Sequence, residues 1–283
     1  MVAAYRRGGV GAGAGLHYAN ACGHADSASD PRWKIRLLSC SVLFFAPPVA
    51  LPRVEDACRL AKQYDLARDE ALCQANLGLV YLQLGDLNAA KKSFRSGLQT
   101  LSGGPRAVAL NNLAIAVAFA DRAQAQSYLA SALACAERPH AVAILSNQAV
   151  LQAEGQPLQL PDFSSLATWA GEDCDPPLYE RLRFNRARSL ADEALPEAAL
   201  KEIEAADILE EGHRDGALVV AQWARLRRDV YRSLGRPLPR DLDAKAELLE
   251  RSGERQAWLY RLRWAFCPIP LYGSVEPTGK THE

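Results

Sequence analysis

The sequence predicts an all-α fold built from successive antiparallel helix pairs. Three observations carry this. Alanine, leucine and arginine dominate while β-branched residues are sparse, a composition that favours helix. Apolar residues recur at three- and four-residue spacings along most of the chain. One stretch, Ala71 to Gly104, reads as a complete helix–turn–helix unit of 34 residues, with weaker copies on both sides.

In that stretch Ala71, Ala75, Gly78, Leu79 and Leu82 fall at helical spacings, as do Leu77, Tyr81 and Leu84. Gly85-Asp86 supplies a left-handed stop followed by a capping residue. A second helix carries Leu87, Ala90, Phe94, Gly97, Leu98 and Leu101 on one stripe, and Ser102-Gly103-Gly104-Pro105 closes it. Gly78 and Ala90 are small where two helix axes would cross. Tyr81 and Phe94 are large where a gap would remain.

The unit resembles a tetratricopeptide repeat (TPR). The family pattern is met by Leu77-Gly78, Tyr81, Gly85-Asp86, Ala90, Phe94 and Gly97. Gln74 stands at the family's early tryptophan position and Ser102 at its terminal proline position. The resemblance implies about six hairpins stacked as a right-handed superhelical solenoid. It covers residues 32–266 loosely and 71–137 well.

In chain order, residues 1–31 form a Gly/Ala-rich N-terminal segment, partly disordered or with one capping helix over Leu16–Ala28. Asp30-Pro31 marks a helix start. Arg32–Phe45 reads as a helix ended by Pro47-Pro48, and Pro52–Tyr64 as its partner. The repeats at 71–104 and 107–137 are the best formed; the second places Leu113, Ala114 and Val117 in its first helix and Ala125, Leu129 and Ala132 in its second. His140–Gly155 is a first helix whose partner is poor, with a short helix expected over Asp162–Ala170. Leu178–Leu209 returns to pattern. Ala217–Leu234 and Arg240–Arg251 form the next pair, and Gln256–Phe266 a last helix. Residues 267–283 are a polar C-terminal tail.

The 283 residues carry no net charge, so no global field draws in nucleic acid or anionic lipid. Seven dispersed cysteines without a C-x-x-C pair favour reduced thiols over a disulfide framework or zinc site. The greasiest run, Leu37–Leu51, is short for a membrane span and broken by Pro47-Pro48. These features predict a soluble, cytoplasmic protein with no cofactor, no nucleic-acid partner and no membrane partner.

One side chain recurs at the same phase of each first helix: Asn76, Asn112, Asn147 and Asn185, spaced 36, 35 and 38 residues apart. The TPR resemblance places this position in the concave groove. An asparagine amide offers a donor and an acceptor, so a ladder with steps of about 10 Å would hold the main chain of an extended peptide. One turn earlier stand Leu72, Val108, Ala143 and Arg181; one turn later stand Leu79, Ile115, Val150 and Arg188. The groove is thus apolar beside three asparagines and basic beside the fourth, which fits a peptide with apolar residues toward one end and an acidic group toward the other.

Two arginine sets, Arg181, Arg183, Arg186, Arg188 and Arg225, Arg227, Arg228, Arg232, alternate with acidic Glu202, Glu204, Glu210 and Glu211. Interleaved charge of this kind favours salt bridging between helices. No catalytic set converges. Gly273–Thr281 imitates a phosphate loop, but its glycines are one residue too far apart. His213-Arg214-Asp215 imitates a kinase catalytic loop, but Val220 occupies the metal-binding asparagine position. The five histidines share no ligand spacing.

The expected function is a non-catalytic protein–protein interaction scaffold or adaptor. Its alternative is a regulatory or ligand-sensing TPR module acting on a separate signalling ATPase, protease or transcription regulator. The last helix, with Trp258, Leu259 and Trp264, offers apolar surface for a homodimer contact.

Overall fold

In a computed structural model the described residues are 18, 20–24, 30–153, 176–206, 216–252, 258, 259, 262 and 265–271. Among them the fold is all-helical. The elements are α1 (Pro31–Ser39), a 3₁₀ turn (Cys40–Leu43), α2 (Pro47–Gln63), α3 (Ala67–Gln83), α4 (Leu87–Leu98), α5 (Gly103–Val117), α6 (Arg122–Ala134) and α7 (Arg138–Gln152). They continue with α8 (Pro176–Asp192), α9 (Pro196–Ala206), α10 (Gly216–Ser233) and α11 (Leu242–Arg251). The helix expected at 162–170 lies outside the described residues, and within the one expected at 16–28 the described residues 18 and 20–24 are helical.

The helices pack in chain order from α1 to α7 and from α8 to α11. Alternate helices also touch: α1 with α3, α3 with α5, α5 with α7, and α8 with α10. The burial pattern separates two layers. In α5, 12 of 15 residues are buried, and in α3, 11 of 17, so both helices are covered nearly all round. Their partners bury one stripe each, Ala90, Ser93, Phe94 and Gly97 in α4 and Ala125, Leu129 and Ala132 in α6.

The expected close contact lies between α3 and α4. A Cβ on Gly78 would come 2.7 Å from two ring carbons of Phe94, and one on Gly97 would come 2.8 Å from the Ala71 carbonyl oxygen. The Phe94 ring therefore lies against the glycine face of α3. Tyr81 is only partly buried, and its hydroxyl reaches Glu55 of α2 at 3.0 Å. Leu77, Leu113, Ala114 and Leu129 are all buried in the same core.

Turn chemistry repeats as well. Gly85 has φ +76°, and Asp86 accepts a hydrogen bond from the Ala89 N–H. The residue after the left-handed one donates back to the carbonyl five residues earlier at four helix ends: Leu66 to Ala61, Asp86 to Tyr81, Leu195 to Leu190, and Arg236 to Tyr231. Two of these turns use Asp65 and Ala194 at positive φ, where sequence offers no glycine to signal them.

Three expectations need correction. Pro47-Pro48 does not end a helix but starts α2, where a missing N–H costs nothing. The segment before it tightens into the 3₁₀ turn, so the first helix stops at Ser39 rather than Phe45. At the far end, Phe266 is not helical: residues 265–271 run extended, and Cys267, Ile269 and Leu271 are buried rather than part of a polar tail. Among the described residues no helix is long and apolar enough to cross a membrane.

Part of the apolar surface expected to form a dimer contact packs within the chain. The Trp258 indole donates to the Leu82 carbonyl at 2.8 Å, a second bond on an oxygen that already accepts from the Gly85 N–H at the end of α3. Its ring meets Phe119 edge-on, and Leu259 is buried. Trp264 lies outside the described residues.

Candidate functional site

The four asparagines stand on the inner helices α3, α5, α7 and α8, and all four are buried. Each amide closes a two-bond ring with one residue of an extended segment, and that segment is the chain's own residues 265–271. Asn185 donates to the Ala265 carbonyl at 2.9 Å and accepts from its N–H at 2.7 Å. Asn147 does the same with Cys267 at 3.1 and 2.8 Å. Asn112 does so with Ile269 at 2.7 and 2.9 Å, and Asn76 with Leu271 at 3.1 and 3.0 Å. Successive rungs hold every second residue. Two residues of extended chain span at most ~7 Å, so the amides step at that distance and not at the ~10 Å expected.

The segment runs from α8 toward α3, opposite to the order of the helices. Its clamped residues Ala265, Cys267, Ile269 and Leu271 are buried, while Pro268 and Pro270 between them are half-buried. Leu72 and Val108 share an apolar cluster with Cys267, Ile269 and Leu271. Leu79, Ile115 and Val150 belong to the larger core that includes Leu259 and Phe266.

The basic end differs from expectation. Arg181 donates to the Phe266 carbonyl at 2.9 Å, so it too reads main chain. Arg188 is paired with Asp192 at 3.3 Å and Asp229 at 3.4 Å. The two guanidinium groups are therefore engaged within the chain, and the acidic end expected of a bound peptide has no counterpart in residues 265–271. Of the other arginines, Arg183 and Arg186 pair with Glu202 as expected, tying α8 to α9, whereas Arg228 and Arg232 pair with Asp243 of α11, an acid outside the expected set.

Three more polar residues complete the ladder. Asn111, fully buried, donates to the Cys267 carbonyl at 3.1 Å and to Asn112 Oδ1 at 3.1 Å, and accepts from Asn147 at 2.8 Å. It joins two rungs into one network. Ser39 accepts from Asn76 at 2.9 Å and Ser146 from Asn185 at 3.5 Å, one at each end. The Asn111-Asn112 doublet was a visible signal for the first. The alternation of Cys267, Ile269 and Leu271 with two prolines was a visible signal for an extended segment.

Burial pushes the Cys267 thiol up from its ordinary value to about 11, against the opposing pull of Arg181 and a hydrogen bond with Ser146. A thiol whose folded-state value is raised favours the fold below its unfolded value near 9. That contribution is lost as pH rises from there through about 11. In the native protein at pH 8, Cys267 is expected to resist iodoacetamide while the partly exposed Cys22 and Cys135 react. Site-resolved mass spectrometry of the alkylated chain reads this directly. Labelling of Cys267 at the rate of Cys135 would mean that residues 265–271 spend much of their time outside the groove.

Compared with known proteins, the chain matches no family model, no curated protein and no solved structure.

Proposed function

We propose that this protein is a non-catalytic scaffold or adaptor that grips an extended segment of a partner protein, and that its own residues 265–271 hold the same groove until a partner displaces them. The helix pairs are read as a right-handed solenoid of the tetratricopeptide kind. The contacts between alternate helices and the signature residues Leu77, Gly78, Tyr81, Ala90 and Phe94 support that reading. A cytoplasmic setting belongs to the same reading, supported by the dispersed cysteines of the sequence.

One observation carries the function. Four asparagine amides each donate to and accept from the same residue of an extended chain. This recognises main chain through groups that every non-proline residue possesses, and so suits capture of polypeptide. Self-occupancy favours a regulated adaptor over a constitutive one. A tethered segment competes at an effective concentration on the order of millimolar, so a partner must exceed that threshold.

The test uses the full chain carrying Ile269→Asp, which puts a carboxylate where the groove is apolar and so expels the segment. A labelled peptide with the sequence of residues 265–271 should bind this variant at least ~10-fold more tightly than it binds the wild type, by fluorescence polarisation. Adding Asn112→Ala and Asn147→Ala should remove the binding. A folded Ile269→Asp protein that takes no peptide would refute the reading.

A further inference from the structure

Resting on the peptide-binding reading above, we infer that the groove selects partner segments in which proline alternates with apolar residues, at the positions the ladder skips. The basis is the register of the bonds. The rungs consume the N–H and carbonyl of residues 265, 267, 269 and 271 only. The residues between them are Phe266, Pro268 and Pro270, and two of these three have no N–H to offer.

Proline at a skipped position is favoured for two physical reasons. It presents no N–H that needs a partner at a half-buried position, in a groove whose asparagine amides are already committed to the neighbouring residues. It also restricts the residue before it to extended conformations. The residues before Pro268 and Pro270 are Cys267 and Ile269, which the two central rungs hold. The segment is thus partly shaped for the ladder before it docks, and less freedom is lost on binding. At a clamped position proline would do the reverse. It would remove the N–H and leave an asparagine oxygen buried and unpaired. The clamped side chains add a size rule: Ala265 and Cys267 are small, and Ile269 and Leu271 are larger, all four buried. The ligand class is therefore a seven-residue segment running small, large apolar, small, proline, branched aliphatic, proline, leucine-like, since Phe266 at the second position is also buried in the core.

Four capped heptapeptides against the full-length Ile269→Asp protein test this. The first has the sequence of residues 265–271. Methylating the backbone nitrogen at the skipped phenylalanine should leave its affinity within about threefold, whereas methylating it at the clamped isoleucine should weaken it about thirtyfold. Replacing both prolines by alanine should weaken it about tenfold. Equal effects of the two methyl groups, or tighter binding of the alanine peptide, would overturn the register rule while leaving peptide capture standing. Absence of binding by all four overturns both.

A second measurement needs no foreign peptide. In the otherwise wild-type chain, Ile269→Pro should speed alkylation of Cys267 about thirtyfold, and Pro268→Ala with Pro270→Ala should speed it less. The opposite order would sink the inference even if the Ile269→Asp protein does not fold.

Discussion

Asn147→Ala is expected to free residues 265–271 from the groove and to cost the fold about 3–5 kcal/mol. The amide makes three bonds, two to Cys267 and one to Asn111 Oδ1. Truncation leaves the Cys267 N–H and the Asn111 oxygen buried without those partners, each at about 1–3 kcal/mol. The loss has a ceiling, because the segment undocks and lets water in once the penalty exceeds what holds it. Hydrogen exchange should show the order of events: amides of 265–271 lose protection first, and those of α3 and α5 only near the global unfolding free energy. Asn185→Ala, at the end of the ladder, should cost less, since its other bond, to Ser146, is long at 3.5 Å. Asn112→Asp separates polarity from size. It keeps an acceptor for the Ile269 N–H but turns a carboxylate oxygen toward the Ile269 carbonyl, so it should be at least as damaging as alanine. If urea titrations find Asn147→Ala within about 0.5 kcal/mol of wild type, the ladder does not hold the segment in solution.

Phe94→Ala should cost about 3–5 kcal/mol, from lost transfer energy and the cavity left in a fully buried site. The sharper test pairs it with Gly78→Ala. Alone, Gly78→Ala drives a methyl to 2.7 Å from the Phe94 ring and should cost about 1–3 kcal/mol. With Phe94 truncated, the same methyl enters the cavity, and its cost should fall to zero or become a gain, as helix propensity alone would favour. Gly97→Ala is the control. Its methyl would meet the Ala71 carbonyl oxygen, which is backbone, so truncating Phe94 should give no relief. A Gly78→Ala cost that is the same in both backgrounds would show that the ring does not set the approach of α3 and α4. Thermal or urea melts of the five variants suffice.

How much of the molecule was readable varies with the kind of residue. The pair α3–α4 was legible because small and large residues at fixed phase leave few ways to cross two helices, and because Gly85-Asp86 is a local signal. The turns at Asp65 and Ala194 were not, since neither residue prefers positive φ and only the completed helix ends hold them there. Pro47-Pro48 reads in the sequence as a stop because proline both ends helices and begins them, and the choice depends on what precedes it. At the site, the shared phase of Asn76, Asn112, Asn147 and Asn185 exposed the ladder, and their chemistry foretold that it grips extended main chain. Asn111 escaped because its role depends on neighbours from two other segments.

The sequence by itself determined the helices, the pairing of neighbours and the existence of a main-chain-binding ladder. These follow from local periodicity, capping residues and the donor–acceptor character of asparagine. Only the tertiary structure decided what lies on the ladder. Asn76 and Leu271 are 195 residues apart and bonded at 3.1 and 3.0 Å. No periodicity within either segment encodes that meeting. It arises because α3, α5 and α7 form a buried row that needs a cover, and residues 265–271 offer alternating apolar side chains with a free N–H and carbonyl at the matching step.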